Sequence, residues 1–297
     1  MIVNLKFLTL NFIIMTSQNL NHSELLIREM QVRNYSSRTI KTYSLLLISL
    51  EKAFDRSVDQ ISVEQFKDFL HKRITDENIS VSMVNQYISV FKIIQADILK
   101  RDWQQIKIKR PRREKKLPVI LSLSEVERII NCTNNIKHKA IMMLAYSSGL
   151  RRQEVQFIEP KAIDSDRMQV HVFQGKGKKD RYTILSAKTL DILRIYFKIE
   201  RPSFYLFESQ MKKGQHLSDG TLNNIVKKNA QKAGIKKQIS FHTLRHCFAT
   251  HLLEQGVNLR LIQQFMGHVS LKTTSMYLHL TNIDASNIIS PLDSMNI

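Results

Sequence analysis

The chain has 297 residues, enough for two compact domains with separate cores. Lys and Arg number 45 against 26 Asp and Glu, a formal charge of +19 that implies a polyanionic partner, nucleic acid first among them. A hydrophobic share of 43% excludes a basic disordered tail, and two cysteines, Cys132 and Cys247, exclude a disulfide framework and fit a reducing, cytoplasmic setting.

Residues 1–20 read as an N-terminal extension. Met1 to Met15 are apolar-rich, but they lack the charged start and cleavage site of a signal peptide. Asn4, Lys6 and Asn11 interrupt the run before it could span a bilayer, so no membrane partner is expected. Translation could begin at Met15, where ordinary polar sequence starts.

Residues 21–105 follow a helical pattern. Ser23 is expected to cap a helix carrying Leu25, Leu26 and Met30. Ser36 or Ser37 caps a second, with Ile40, Tyr43, Leu47, Leu50 and Phe54 at helical spacing. Ser62 and Gln65 form a capping box before Val63, Phe66, Phe69 and Leu70. A fourth helix carries Val84, Tyr87, Ile88, Phe91, Ile94 and Ile98. Residues 106–119 then form a basic linker, with Lys107, Lys109, Arg110, Arg112, Arg113, Lys115 and Lys116 crowded between and beside Pro111 and Pro118. Prolines and like charge oppose a helix there, and the pattern suits an extended segment laid along a phosphate backbone. A solvated hinge is the alternative.

From residue 120 to 297 a second domain begins with another capping box, Ser122 and Glu125. Its first helices end near Gly149. Val170, Val172, Tyr182 and Ile184 alternate around Gly175-Lys176-Gly177-Lys178-Lys179-Asp180, the pattern of a β-hairpin with a basic turn. Helical sequence resumes thereafter, and Gly267 sits where a left-handed turn closes the helix Asn258 to Met266.

Chemistry concentrates in the last third. In the stretch from Phe241 to Leu253, Leu244, Phe248 and Leu252 share one helical face, and His242, Arg245 and Ala249 another. A His and an Arg one turn apart suit a phosphate, although a solvated face fits the pair as well. His242 and His246, four apart, could be read as zinc ligands, but no Glu follows the first and no third ligand is near. Gly267-His268, with Tyr277 nine residues on, completes the set.

Taken in order, Gly149-Leu150-Arg151-Arg152-Gln153-Glu154, Gly175-Lys176-Gly177, His242-Thr243-Leu244-Arg245-His246, Gly267-His268 and Tyr277 resemble the tyrosine recombinase family, over about Leu121 to Leu280. More weakly, Arg38 to Tyr43 resembles the core-binding domain of Xer-like proteins and integrases. Two departures, Lys161-Ala162-Ile163-Asp164 after Glu154 and Cys247 where a small hydroxyl residue is common, touch none of the matched groups.

The resemblance implies a mainly α fold: a SAM-like helical core-binding bundle followed by an α+β catalytic domain with a small antiparallel sheet. It implies that Tyr277 attacks a DNA phosphate to leave a 3′-phosphotyrosine and a 5′-hydroxyl. Arg151 and Arg245 clamp the non-bridging oxygens, and Lys176 protonates the departing oxygen. His242 supports proton transfer, His268 hydrogen-bonds the phosphate, Glu154 orients Arg151, and Lys178 and Lys179 join the linker residues in binding DNA. No metal, nucleotide or other cofactor is required, because the phosphotyrosine ester conserves the energy of the bond. The implied partner is a double-stranded recombination site held by four protomers on two duplexes, within the cytoplasm at the nucleoid. Ile283, Ile288, Ile289 and Leu292 of the tail would dock on a neighbouring protomer, self-packing being the alternative. A DNA binder without catalysis and a type IB topoisomerase are the rival readings. The last shares the chemistry but works alone.

Overall fold

The protein is represented by a computed structural model that describes residues 21–103, 108–112, 117–173, 180–212 and 214–280. The chain folds as two compact units, Met1–Lys115 and Lys116–Ile297. Residues 1–20, the hairpin tip with Lys176, Lys178 and Lys179, the linker positions Lys107, Arg113, Lys115 and Lys116, and the tail from 281 lie outside the described residues.

The N-terminal unit is built from α1 (His22–Val32), α2 (Ser37–Phe54), α3 (Val63–Glu77) and α4 (Val81–Lys92), the last running on into a π-helical turn, Ile93–Ile98. Ser36, Ser62 and Ser80 each accept a backbone N–H at a helix start, and Ser62 with Gln65 closes a capping box. Ser23 is not the first cap. Asn21 holds that place through a reciprocal pair with Glu24, so the helix begins one residue before Ser23. The pattern at Leu26, Met30, Leu47, Leu50, Phe66, Val84, Tyr87, Ile88 and Phe91 is the buried core. Phe66 stacks on Phe91 at 4.1 Å between ring centroids, and Phe69 meets Tyr87 edge-on at 5.3 Å. The described part of the linker folds back onto α4 of this unit. Asn85 Nδ2 donates to Pro111 O at 3.5 Å, Arg110 donates to Asn85 O at 2.8 Å and to Ser89 Oγ at 3.1 Å, and Ile108 packs on the core.

The C-terminal unit begins with α5 (Leu123–Asn131), opened by the Ser122–Glu125 capping box, followed by α6 (Ile136–Ser147) and the short α7 (Arg152–Gln156). A three-stranded antiparallel sheet follows in the order β1 (Ile163–Asp164), β2 (Gln169–Val172), β3 (Arg181–Ile184). The β2–β3 pairing sets Val170 opposite Thr183 and His171 opposite Tyr182. The parity of β3 is the reverse of what its apolar residues suggest: Arg181 and Thr183 point inward, and Tyr182 and Ile184 outward. Local partners explain it. Thr183 Oγ1 donates to Ser148 O at 2.9 Å, Arg181 is neutralised as described below, and the outward Tyr182 ring stacks on His171 at 4.5 Å.

Helices α8 (Ala187–Glu200), α9 (Asp219–Lys232), α10 (Phe241–Glu254), α11 (Leu259–Met266) and α12 (Leu271–Thr274) complete the unit, with a 3₁₀ turn at Ser275–His279. Helix α10 is buried almost all round rather than along one stripe, because it separates two cores. Phe241, Leu244 and Cys247 belong to the large one, whereas Phe248, Ala249 and Leu253 join Ile262, Met266 and Tyr277 in a small one. The start of the unit is tied to α10, since Leu121 N donates to Cys247 Sγ at 3.2 Å and its carbonyl meets His251 Nε2 at 2.9 Å. Among the described residues no helix is long and apolar enough to cross a membrane.

The single tryptophan, Trp103, packs against the N-terminal core, so its fluorescence reports on that unit. Phe66→Ala removes a fully buried ring and should destabilise the unit by about 3–5 kcal/mol, read as an earlier midpoint of Trp103 fluorescence in urea titration.

Candidate active site

Glu154 lies at the third position of α7, and its carboxylate reaches back to the helix start, accepting Arg151 N at 2.6 Å and Arg151 Nη1 at 2.7 Å. Negative charge in a first turn is favoured by the helix dipole. Arg181 from β3 meets the same carboxylate with both Nη atoms, each at 2.7 Å, in a bidentate pair 8% exposed on either side. Arg245 from α10 lies 3.9 Å away. Burial alone would raise the Glu154 carboxyl, but the hydrogen bonds and charge of Arg181, with Arg151 and Arg245 behind them, hold it down at about 2.

Three guanidinium groups around one carboxylate leave a net positive pocket. Their remaining donors are aimed by backbone carbonyls. Arg151 Nη2 donates to Gly267 O at 2.8 Å, Arg181 Nε to Phe265 O at 2.8 Å, and Arg245 to the carbonyls of Gly149 and Met266. Arg245 is only 4% exposed. Burial and the nearby Arg151 pull it down to about 9, which leaves it a cation at neutral pH.

Both turns that supply these carbonyls need glycine. Gly149 and Gly267 adopt φ of +59° and +58°, the left-handed region. A Cβ on Gly149 would stand 2.3 Å from a Phe248 ring carbon, and one on Gly267 would stand 2.7 Å from Arg181 Cδ.

His268 follows Gly267 and has both ring nitrogens occupied. Nε2 is 3.2 Å from Arg245 Nη2, and Nδ1 is 3.0 Å from Thr274 Oγ1. With Arg245 donating, Nε2 accepts and Nδ1 carries the hydrogen. Burial and then Arg245, Arg151 and Arg181 hold this imidazole neutral, down at about 3. His268 thus braces the same Arg245 nitrogen, Nη2, that donates to Met266 O.

Tyr277 lies in the 3₁₀ turn, 1% exposed, with its hydroxyl 2.9 Å from His246 Nδ1. Burial pushes the phenol up to about 12 against the opposing pull of Arg245 and Arg151, so it is neutral. His246 is also neutral, lowered to about 4 by burial, His242 and Arg245. His242, the second residue of α10, is exposed between the buried Phe241 and Thr243. Crowding by the surrounding protein, followed by Arg152, Arg245 and Arg151, lowers its affinity for a proton.

Four of the six residues singled out in the sequence as catalytic therefore converge: Arg151, Arg245, His268 and Tyr277. His242 stands at the rim among the arginines. Lys176 lies outside the described residues. Of the expected DNA-binding residues, Lys109, Arg110 and Arg112 are exposed on the N-terminal unit, with Arg110 engaged by Asn85 and Ser89. Sequence reasoning missed Arg181, and it gave His246 no role beyond half of a metal pair and the last position of a family motif. His246 commits Nδ1 to Tyr277, and among the described residues no cluster of three His, Cys, Asp or Glu side chains could hold a metal ion. No signal in the sequence pointed to Arg181, because the alternation of Tyr182 and Ile184 placed it on the outward face of β3, and only the fold shows it buried against a partner.

Comparison with known proteins gives a consistent picture. Residues 120–283 match the phage integrase family, and residues 23–105 match the phage integrase N-terminal SAM-like domain. A tyrosine recombinase of Thermosipho africanus is 32% identical over 272 residues, covering 88% of this chain and 95% of that protein. Among solved structures, the XerH site-specific recombinase bound to a palindromic difH substrate in a post-cleavage complex aligns with a TM-score of 0.68 at 23% identity, covering 84% of this chain and 78% of that one. A lambda integrase tetramer bound to a Holliday junction aligns with a TM-score of 0.66 at 17% identity, covering 85% and 74% respectively. These two likenesses concern the fold.

Glu154→Gln leaves buried guanidinium groups without their counter-ion and should destabilise the C-terminal unit by about 3–5 kcal/mol at neutral pH. The folded carboxyl titrates at about 2, below its ordinary 4.5, so its contribution is complete above pH 4.5 and fades as pH falls toward 2. Urea titrations at stepped pH should accordingly show the gap between wild type and E154Q closing over that acid range.

Proposed function

The chain belongs to the phage integrase family and is a site-specific recombinase that cuts and rejoins DNA strands; on that footing we propose that Tyr277 is its nucleophile and that Arg151 and Arg245 hold the scissile phosphate. The observation that carries this reading is the convergence of Arg151, Arg245, His268 and Tyr277, from separate stretches of the chain, around one positive pocket. A transition state at phosphorus gathers charge on its non-bridging oxygens, and fixed guanidinium donors stabilise it without reorganising.

In the proposed reaction the Tyr277 oxygen bonds to phosphorus and the bond from phosphorus to the 5′ oxygen breaks. The products are a 3′-phosphotyrosine and a 5′-hydroxyl. The departing oxygen needs a proton, for which Lys176 in the hairpin between β2 and β3 is the proposed donor, with His242 at the rim as a supporting group. His268 acts on the phosphate through Arg245, whose donors it helps to aim. Lys178, Lys179 and the linker cations Lys107, Lys109, Arg110, Arg112, Arg113, Lys115 and Lys116 are proposed as backbone contacts, consistent with the net charge of +19.

The proposed assembly is four copies on two duplexes, by analogy with the lambda integrase tetramer. In this scheme residues 21–105 form the core-binding domain, 106–119 the linker and 120–297 the catalytic domain. The free thiols of Cys132 and Cys247 support a cytoplasmic location.

The test is covalent trapping on nicked duplexes drawn from DNA flanking the gene, resolved on denaturing gels. Wild type should give a protein–DNA adduct that Tyr277→Phe abolishes while still shifting the same DNA on native gels. An adduct that persists in Y277F moves the nucleophile elsewhere. Tight binding without an adduct on any fragment favours a non-catalytic binder, and relaxation of plasmid that lacks a recombination site favours a topoisomerase.

A further inference from the structure

The arginine pocket explains how a phosphate is held, and it leaves open where the hydrogen of the nucleophile goes. Tyr277 is 1% exposed, so bulk water does not reach its hydroxyl. A buried O–H requires an acceptor, and His246 Nδ1 at 2.9 Å is the described side chain that meets it. With the phenol donating, the imidazole carries its own hydrogen on Nε2. His246 comes from the turn of α10 that follows His242, beside Arg245, so one helix delivers both a phosphate ligand and the contact to the nucleophile.

We infer that His246 receives the phenolic proton of Tyr277 as the strand is cut and returns it as the strand is rejoined. The inference rests on Tyr277 being the nucleophile. In the forward step the Tyr277 oxygen bonds to phosphorus while its hydrogen passes to His246 Nδ1, giving an imidazolium. The bond to the 5′ oxygen breaks on the opposite side of phosphorus, where a separate donor protonates the leaving group. Rejoining reverses each transfer, so charge and protons balance over the cycle.

The groups facing this pair are His242, Arg245 and Cys247 on the same helix, His268 after α11, and Arg151 from the start of α7. The two arginines are cationic, and together with burial they oppose an imidazolium. With the phenol held up at about 12 and the imidazole down at about 4, transfer is uphill in the resting protein and Tyr277 stays protonated. A phosphate anion lodged between Arg151 and Arg245 offsets that positive field and stabilises the imidazolium. The nucleophile is therefore latent until substrate arrives.

The test compares wild type, His246→Ala and His246→Gln in single-turnover cleavage of two nicked duplexes. One has an ordinary scissile phosphate and the other carries sulfur at the bridging 5′ position. A thiolate leaves without a proton, so sulfur rescues the loss of a leaving-group donor but cannot rescue the loss of an acceptor for Tyr277. H246A should cut both substrates slower by about 10²–10⁴-fold, with the rate rising with pH as hydroxide substitutes. H246Q keeps an acceptor for the hydroxyl but cannot retain a proton, and it should be similarly slow on both. It carries the test if H246A melts early. Native-gel shifts should show unchanged DNA affinity.

Recovery on the sulfur substrate would place His246 on the leaving-group side and overturn the inference. Full activity of H246Q would make His246 a positioning residue, and full activity of H246A would remove it from the reaction altogether. Y277F run alongside separates the two levels. If its adduct persists, the nucleophile is elsewhere and the role of His246 falls with it. If its adduct vanishes while both His246 variants cut normally, only the proton route fails.

Discussion

Arginines buried side by side must be kept from expelling one another. Glu154 solves that problem here. Its carboxylate is bound by Arg151 and Arg181 and lies near Arg245, and each of these comes from a different part of the C-terminal unit. Helix α7 supplies the acid and Arg151, β3 supplies Arg181, α10 supplies Arg245, and the carbonyls at the end of α11 accept from all three. The pocket remains positive because three cations share one anion. Its geometry is fixed because each guanidinium gives some donors to the protein and keeps the rest in a defined direction.

The same arrangement accounts for the neutral state of Tyr277, the proposed nucleophile. A cationic neighbourhood would ordinarily favour a phenolate, yet burial dominates and the Tyr277 hydroxyl is held up at about 12. The imidazoles beside it are neutral because burial and nearby arginine charge act on them in the same direction. Positive charge that is too strong for a histidine to protonate is well suited to an incoming anion, and the anion then changes the balance for every titratable group around it. In the proposed reaction, substrate binding and activation of Tyr277 are therefore coupled through charge.

Much of this was legible in the sequence because it is local. Ser36, Ser62 and Ser122 cap the helices expected of them, Gly267 closes α11 in the left-handed region, and the spacing of Phe66, Phe69, Tyr87 and Phe91 describes the N-terminal core. What the sequence concealed is long-range. Arg181 and Glu154 are 27 positions apart, and only the fold shows that a charge on the inward face of β3 has a counter-ion on α7. The pairing of His246 with Tyr277 spans 31 positions and joins helix to turn. The strand β1 has two residues, too short for any periodicity to register. The cap at Asn21 was misplaced at Ser23 because both residue types can fill the role, and the reciprocal Glu24 decided between them.

Besides the Glu154 carboxylate, the oxygens that position Arg151 and Arg245 belong to the main chain at Gly267, Gly149 and Met266. A side-chain acceptor could be lost through one base change in the gene, whereas a carbonyl is present whatever residue occupies its position. Beyond Glu154, the pocket therefore depends on the shape of these turns. Over generations of copying, drift at Met266 would spare the acceptor, while at 149 and 267 any added side chain would collide with Phe248 or Arg181 and twist the carbonyl away. Two residues without a functional group thus carry a constraint of shape as strict as the one that charge places on their neighbours.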